Sequence, residues 1–265
     1  MNFVKFSKEI RRNTLRCLHS QGSGHVGGSL SIVDVLAVLY GKHMDVDPMN
    51  PKKDDRDMLV LSKGHAGPAL YATLALKGFF PVEWLDTLNQ LGTRLPSHVN
   101  LTLTPGVDMT AGSLGQGLSC ACGLALGMKA KGINKHVYVI TGDGELQEGQ
   151  NWEGAMFAAH KKLNIIVLVD NNKLQIDGAT KDVLNVEDIE AKFAAFGFAT
   201  QRVDGHDHAA LDKAISQAKR RKGPHCIVMD TVKGKGVSFY ESMGASVHST
   251  NVSDEQYAKA LEELK

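Results

Sequence analysis

The segment HVYVITGDGELQEGQNWEGAMFAAHKKLNIIVLVDNN, His136–Asn172, carries the pattern that decides the fold. It opens on an apolar run, HVYVIT, and turns through glycines and acids at TGDGELQ. A helix-like stretch, QNWEGAMFAAHKKL, follows, and a second apolar run, NIIVLVD, closes it. Strands that are apolar at nearly every position are expected where both faces of a sheet are covered, as in parallel sheets. Two such strands joined by one helix make a crossover unit. Asp143 ends the first strand and Asn172 follows the second, 29 residues on, the length of one crossover. The two residues are therefore predicted to be neighbours at one edge of a sheet.

Working outward, the same alternation continues. Phe6, Ile10, Thr14 and Cys17/Leu18 recur at helical spacing and predict a first helix ending near Gln21-Gly22. A second helix is predicted from Ser31, as N-cap, through VDVLAVLYGKH. DMLVLS (Asp57–Ser62) reads as a strand, with PALYATLALKG as the helix after it. SLGQGLSCACGLALGMKAKG reads as a helix so rich in glycine and alanine that something should approach its backbone closely. EDIEAKFAAFGF and HAALDKAISQAKRR read as amphipathic helices flanking the strand ATQRVD, and HCIVMDTV as a last strand. No linker, repeat or low-complexity tract interrupts residues 1–265. The expectation is one α/β domain, a doubly wound, mostly parallel sheet with helices on both faces. Ligands of such domains bind beyond the carboxyl ends of the strands, where LSKGHAG, TGDGELQ and VDNNKLQIDG fall.

Composition narrows the function. Hydrophobic residues make up 43% and charged residues 22% of the 265 positions, as in ordinary globular proteins. A formal net charge of +1 without long charged blocks gives no support to a nucleic-acid or membrane-surface role. No leader-like apolar segment and no run approaching ~18 apolar residues is present, so a cytoplasmic protein is expected. Cys17, Cys120, Cys122 and Cys226 show no C-x-x-C spacing and read as reduced thiols. The basic run Lys219–Lys222 (KRRK) is most simply a solvated helix end, with cations at the negative pole of the dipole.

A carboxylate and a carboxamide brought together, Asp143 with Asn172, offer hard oxygen ligands of the kind Mg²⁺ or Ca²⁺ takes alongside phosphate oxygens. Gly142 and Gly144 permit a sharp turn, and a helix start after them would present free N–H groups to an anion. The combination predicts a diphosphate site. Taken singly, a D-G turn and an Asn-Asn loop are common surface features; the crossover spacing is what joins them.

At this point the chain resembles the transketolases. GDG followed about thirty residues later by NN is similar to the thiamine-diphosphate motif, and LQIDG narrows the resemblance. SGHVGGSLS, DRDMLVLSKGHAGPALYA, PGVDMTAGSLGQGLS, GDGELQEGQNWE, VDNNKLQIDG, VDGHD and TVKGKGVSF agree in order along nearly the whole chain. The resemblance is to the N-terminal, diphosphate-binding half, so the chain looks like the N-terminal subunit of a split transketolase. It implies metal ligation by Asp143, Asn172 and the Leu174 carbonyl, with Mg²⁺ or Ca²⁺ as the ion. It implies diphosphate contacts from the backbone at Gly144 and Glu145 and from His65, with Lys63 and Lys233 facing the same anion and His248 approaching it. Gly112, Ser113 and Leu114 match the segment lining the cofactor's rings, and His25, His65 and His98 match the catalytic histidines around the sugar. His160, His206 and His208 read as structural or solvated, and Glu148 and Glu153 either as helix-surface charges or as part of an acidic network between cofactors.

The implied reaction moves a two-carbon ketol unit from a ketose phosphate to an aldose, with the cofactor as electron sink. The family's activating glutamate lies in a pyrimidine-binding domain that the matched segments do not include. A partner subunit is therefore expected to supply it, with two copies of each chain as the natural closed assembly. Two departures, Ser97-His98-Val99 and Met109-Thr110-Ala111-Gly112, fall near the sugar channel and allow a pathway-specific enzyme for a branched or sulfonated sugar phosphate. A non-catalytic thiamine-diphosphate binder and a deoxyxylulose-phosphate synthase are the competing readings. The histidine set argues against the first and the collinear motifs against the second.

Overall fold

A computed structural model describes residues 2–265. Its centre is a parallel sheet whose strands, in chain order, are β1 (Met58–Leu61), β2 (Val137–Gly142), β3 (Ile165–Asn171), β4 (Ala199–Asp204) and β5 (His225–Asp230). In space the order is β1-β2-β3-β5-β4, all neighbours parallel. The expected adjacency holds: Gly142 of β2 pairs with Asp170 of β3, so the residues that follow each strand share one edge.

The apolar strands bury both faces by strict alternation. Val137, Val139, Ile165, Val167, Val169 and Val228 point into one core. Tyr138, Ile140, Ile166, Leu168, Ile227 and Met229 point into the other. The first core is closed by α4 (Gln116–Ala130), α5 (Gly149–Lys161) and α6 (Ile189–Ala195). The second is closed by α1 (Phe3–Gln21), α2 (Val33–Val38), α3 (Gly67–Leu76), α7 (His208–Lys219) and α8 (Asp254–Glu263). This is the doubly wound α/β architecture that runs of unbroken apolar strands predict.

One local expectation is corrected. Ser31 does not cap a helix. The chain makes a short helix at Val26–Leu30, breaks, and resumes at Val33 with Ile32 in the cap position, while the Ser31 hydroxyl donates to Asp170 Oδ2 at 2.7 Å. A buried carboxylate outbids the cap. The helix expected over QNWEGAMFAAHKKL is present: after a 3-10 turn at Gly144–Gln147, α5 begins at Gly149.

Asp34 ties α1 to α2 and to the loop before α7: its carboxylate is bridged by Arg11 at 2.5 Å and lies 2.8 Å from His206 Nδ1. His208 also approaches Asp34, at 3.1 Å, so both histidines of VDGHDH are structural. The four cysteines are free thiols; Cys17, Cys122 and Cys226 are buried. Among the described residues no helix is long and apolar enough to cross a membrane.

Candidate active site

The carboxyl ends of β1, β2, β3 and β5 deliver Lys63, Asp143, Asn172 and Thr231 to one place. A cavity of about 200 Å³ opens there, and its lining takes in every predicted site residue except His25, His98, Gly112 and Ser113. The two histidines are nonetheless adjacent to it through their rings. His25 lies 5.2 Å from His65, 5.5 Å from His98 and 5.3 Å from His248, centroid to centroid. His65 lies 5.0 Å from His248. Gly112 sits against His98, where an added Cβ would be 3.5 Å from the ring. Ser113 is exposed in the turn before α4.

Asp143 is a buried carboxylate with no ion-pair partner among the described residues. Its Oδ1 accepts the Gly144 N–H at 2.8 Å and its Oδ2 the Lys173 N–H at 2.5 Å. Burial, then the neighbouring Asp170 charge, push its pKa up to about 6 in spite of these donors. Lys173 reaches it from a left-handed backbone conformation (φ 63°), a strain of ~1 kcal/mol for a non-glycine residue. Asn172 Oδ1 accepts the Leu174 N–H at 3.0 Å, and the Leu174 carbonyl accepts from Lys233 Nζ at 3.1 Å. Burial and the like charge of Lys63 lower Lys233 to about 8.

Asp170 is the residue that sequence reasoning missed. It is fully buried, and four groups converge on it: Lys63 Nζ (2.5 Å), Ser31 Oγ (2.7 Å), Thr231 Oγ1 (2.5 Å) and Asn172 Nδ2 (3.0 Å). Burial alone would raise its pKa, but the Lys63 ammonium and the hydroxyl donors outweigh it and hold the carboxyl below its ordinary range. Lys63, expected to face an anion directly, is thus anchored by Asp170 at the cavity wall. A signal was available, since an acid closing an otherwise apolar strand must find a partner when buried.

Glu145 is expected to act through its backbone, and its side chain is engaged elsewhere. Its side chain points into the protein: Oε1 accepts from Ser62 Oγ (2.5 Å) and the Gly115 N–H (2.9 Å), and Oε2 from the Gly142 N–H (3.0 Å). The side chain is a clamp joining β1, β2 and the start of α4, which leaves only its backbone to meet a ligand.

All four clustered histidines are shifted toward the neutral form. Burial is the main cause for each. For His65 the Lys63 ammonium adds to it and holds the ring well below the usual imidazole range. His25 and His98 are lowered too, and burial with the Lys233 charge takes His248 down to about 4. Neutral imidazoles can accept a proton, which suits a site where an alcohol must lose one.

Residues 4–264 match the family described as transketolase, thiamine diphosphate binding domain. The chain belongs to the transketolase family. It is 51% identical over 258 residues to the 6-deoxy-6-sulfo-D-fructose transketolase subunit SqwG of Clostridium sp. (strain MSTE9), covering 97% of this chain and 94% of that one. It is 39% identical to an apulose-4-phosphate transketolase subunit from Actinobacillus succinogenes, covering 98% and 95%. The transketolase structure from Leishmania mexicana superposes with a TM-score of 0.91 at 32% identity over all of this chain, which spans 41% of that protein. The chain is thus a transketolase subunit of the separately encoded kind, its cofactor is thiamine diphosphate, and its relatives' designation as subunits implies a partner chain.

The residues present fit that cofactor. A Cβ on Gly28 would lie 3.0 Å from His65 Nε2, and one on Gly144 3.1 Å from the Gln175 side chain, so bare backbone faces the cavity at both. No cluster of three His, Cys, Asp or Glu ligands occurs among the described residues. The unpaired Asp143 carboxylate, with the Asn172 and Leu174 oxygens beside it, is instead a mixed oxygen set suited to a hard cation.

Proposed function

We propose that this transketolase chain holds the diphosphate end of the cofactor through a divalent cation. On this reading it turns over only with a partner carrying the pyrimidine-binding domain and its activating glutamate. Residues 1–265 then act as one diphosphate-binding domain, assembled as two copies of each chain. The observation that carries the reading is a cluster of histidines shifted toward the neutral form at a cavity that also holds a buried carboxylate with no ion-pair partner among the described residues. Mg²⁺ or Ca²⁺ would be held by the Asp143 carboxylate, Asn172 Oδ1 and the Leu174 carbonyl, which keeps a second lone pair beside its hydrogen bond from Lys233. Lys63 and Lys233 supply positive charge to a bound anion. Thiamine diphosphate, when bound, supplies the electron sink for breaking the bond beside the donor's carbonyl. His25, His65 and His98 accept the proton of the donor hydroxyl at a neutral ring nitrogen and return it to the acceptor.

For the donor we favour a sulfonated ketose over a pentose phosphate. The support is the 51% identity to a subunit named for 6-deoxy-6-sulfo-D-fructose. The two sequence departures also meet in space, the Ala111 N–H donating to the Val99 carbonyl at 3.1 Å beside His98. Transfer of two carbons from a six-carbon sulfoketose leaves a four-carbon sulfonated aldose. The test is a donor panel with the reconstituted pair and D-glyceraldehyde 3-phosphate as acceptor. We expect kcat/KM for 6-deoxy-6-sulfo-D-fructose to exceed that for D-fructose 6-phosphate and D-xylulose 5-phosphate by at least about tenfold, a 1.4 kcal/mol preference, and no turnover without the partner. Equal use of the phosphorylated donors would sink the substrate reading, and robust activity of this chain alone would sink the two-chain reading.

A further inference from the structure

The run Lys219–Lys222 has no place in the site described above. At the opposite end of the sheet a cleft of about 1090 Å³ opens where β2, β3, β4 and β5 begin, and this run forms one wall of it. Seven lysine and arginine residues line the cleft, and no aspartate or glutamate does. Three of the seven are tied elsewhere: Lys129 to the Lys161 carbonyl, Lys219 to the His43 carbonyl and Lys135 to Asp45. Lys162, Arg220, Arg221 and Lys222 have no carboxylate partner among the described residues. Helices α4, α5 and α7 end at this cleft, and their C-terminal dipoles attract cations. Three dipole ends of roughly half a charge each do not balance the six charges left without a carboxylate.

His225, the first residue of β5, lies in the lining of the same cleft and is 2% exposed. Its ring nitrogens are sealed from solvent, with the Arg221 backbone against the ring, so the ring senses the cleft without reaching into it. An oxyanion seated in the cleft would meet the free cations together.

We propose that this cleft binds a small polyanion bearing phosphate-type oxyanion groups, with Arg220, Arg221 and Lys222 as the clamp. Its size is that of a small-molecule pocket, for which ~300–1,000 Å³ is usual. No phenylalanine, tyrosine or tryptophan lines it to stack a base, and the chain's net charge is only +1, so a nucleic acid is the poorer occupant.

The full chain, labelled at histidine, is titrated with inorganic tripolyphosphate and followed by NMR, with the His225 ring resonances assigned from His225→Gln. We expect those resonances to shift saturably and the ring's pKa to rise, since an adjacent anion favours the imidazolium. Arg220→Glu/Arg221→Glu/Lys222→Glu, all at exposed positions, should weaken the apparent affinity by at least about tenfold. Asp143→Asn should leave it unchanged. Parallel titrations with adenosine triphosphate and citrate distinguish phosphate chains from carboxylate sources of the same charge. The proposal is overturned if the His225 resonances do not move, or if the triple variant binds as tightly as the unmodified chain. Loss of the response in Asp143→Asn would overturn it too, as would single-stranded RNA binding at lower concentration than tripolyphosphate.

Discussion

Asp143 is 2% exposed, accepts two backbone N–H groups, and has its pKa raised from 3.8 to about 6. The direction of that shift makes it a liability without a cation. Between those two pKa values the folded chain binds a proton that the unfolded chain does not, so lowering the pH from about 6 to about 4 stabilises the fold through this group. Above about 6 the buried charge costs up to about 3 kcal/mol, at ~1.4 kcal/mol per pKa unit. Asp143→Asn should therefore raise the stability of the cofactor-free chain at pH 7.5 by about 1–2 kcal/mol, part of the gain being lost where the new amide meets a backbone N–H. The advantage should shrink toward zero near pH 4, while cofactor binding in the presence of Mg²⁺ is lost. Urea denaturation of both proteins across this pH range reads the difference directly; a variant less stable at pH 7.5 would show that the carboxylate is not strained. The sequence made Asp143 and Asn172 legible because each follows an apolar run and one crossover separates them. For Asp170 only the need for a partner was legible. It belongs to the same run, but its partners Ser31 and Thr231 lie 139 and 61 residues away, and only the folded chain brings them to it.

At the level of an element, the glycine-rich α4 was expected to admit a close neighbour, and it does so only at its start. A Cβ on Gly117 would lie 2.3 Å from Ser62 Oγ and 2.7 Å from the Ser62 backbone, and one on Gly115 2.6 Å from Glu148. At Gly123 and Gly127 nothing lies within 4 Å. The pattern of small residues announced a close contact without saying which turn of the helix makes it. Ser62 also holds Glu145, the clamp on Gly115 and Gly142, so a displacement there reaches the loop that carries Asp143. Gly117→Ala should destabilise the chain by ~1–3 kcal/mol, the usual cost of overpacking, and lower cofactor affinity with it. Gly123→Ala should instead stabilise the isolated chain by up to ~1 kcal/mol through helix propensity. Thermal melts of the two variants should move in opposite directions; a shared direction would contradict the packing described for α4.

Across the whole molecule, the fold class was legible because every central strand is apolar on both faces. The strand order was not, since nothing local to β5 says that it inserts between β3 and β4. The surface shows a third kind of information. On the outer side of α4 and α5, Leu126 is 38%, Met156 57% and Phe157 39% exposed, next to the open Gly123 and Gly127. Apolar residues gathered on one face with bare backbone beside them are the usual mark of an interface, and closed two-fold assembly places the same patch of each copy against the other. This face is therefore where the two copies of the proposed assembly should meet. Met156→Glu/Phe157→Glu puts four carboxylates across such a contact and nothing into the core, so the isolated chain should melt within a few degrees of the original. Light scattering of the chain reconstituted with partner and cofactor should give a mass near that of two pairs for the unmodified protein and near one pair for the variant. Gly123→Ala, benign in the isolated chain, should weaken the same assembly because a methyl group there meets the opposing helix. A variant that still assembles at full mass would move the interface to another face of the molecule.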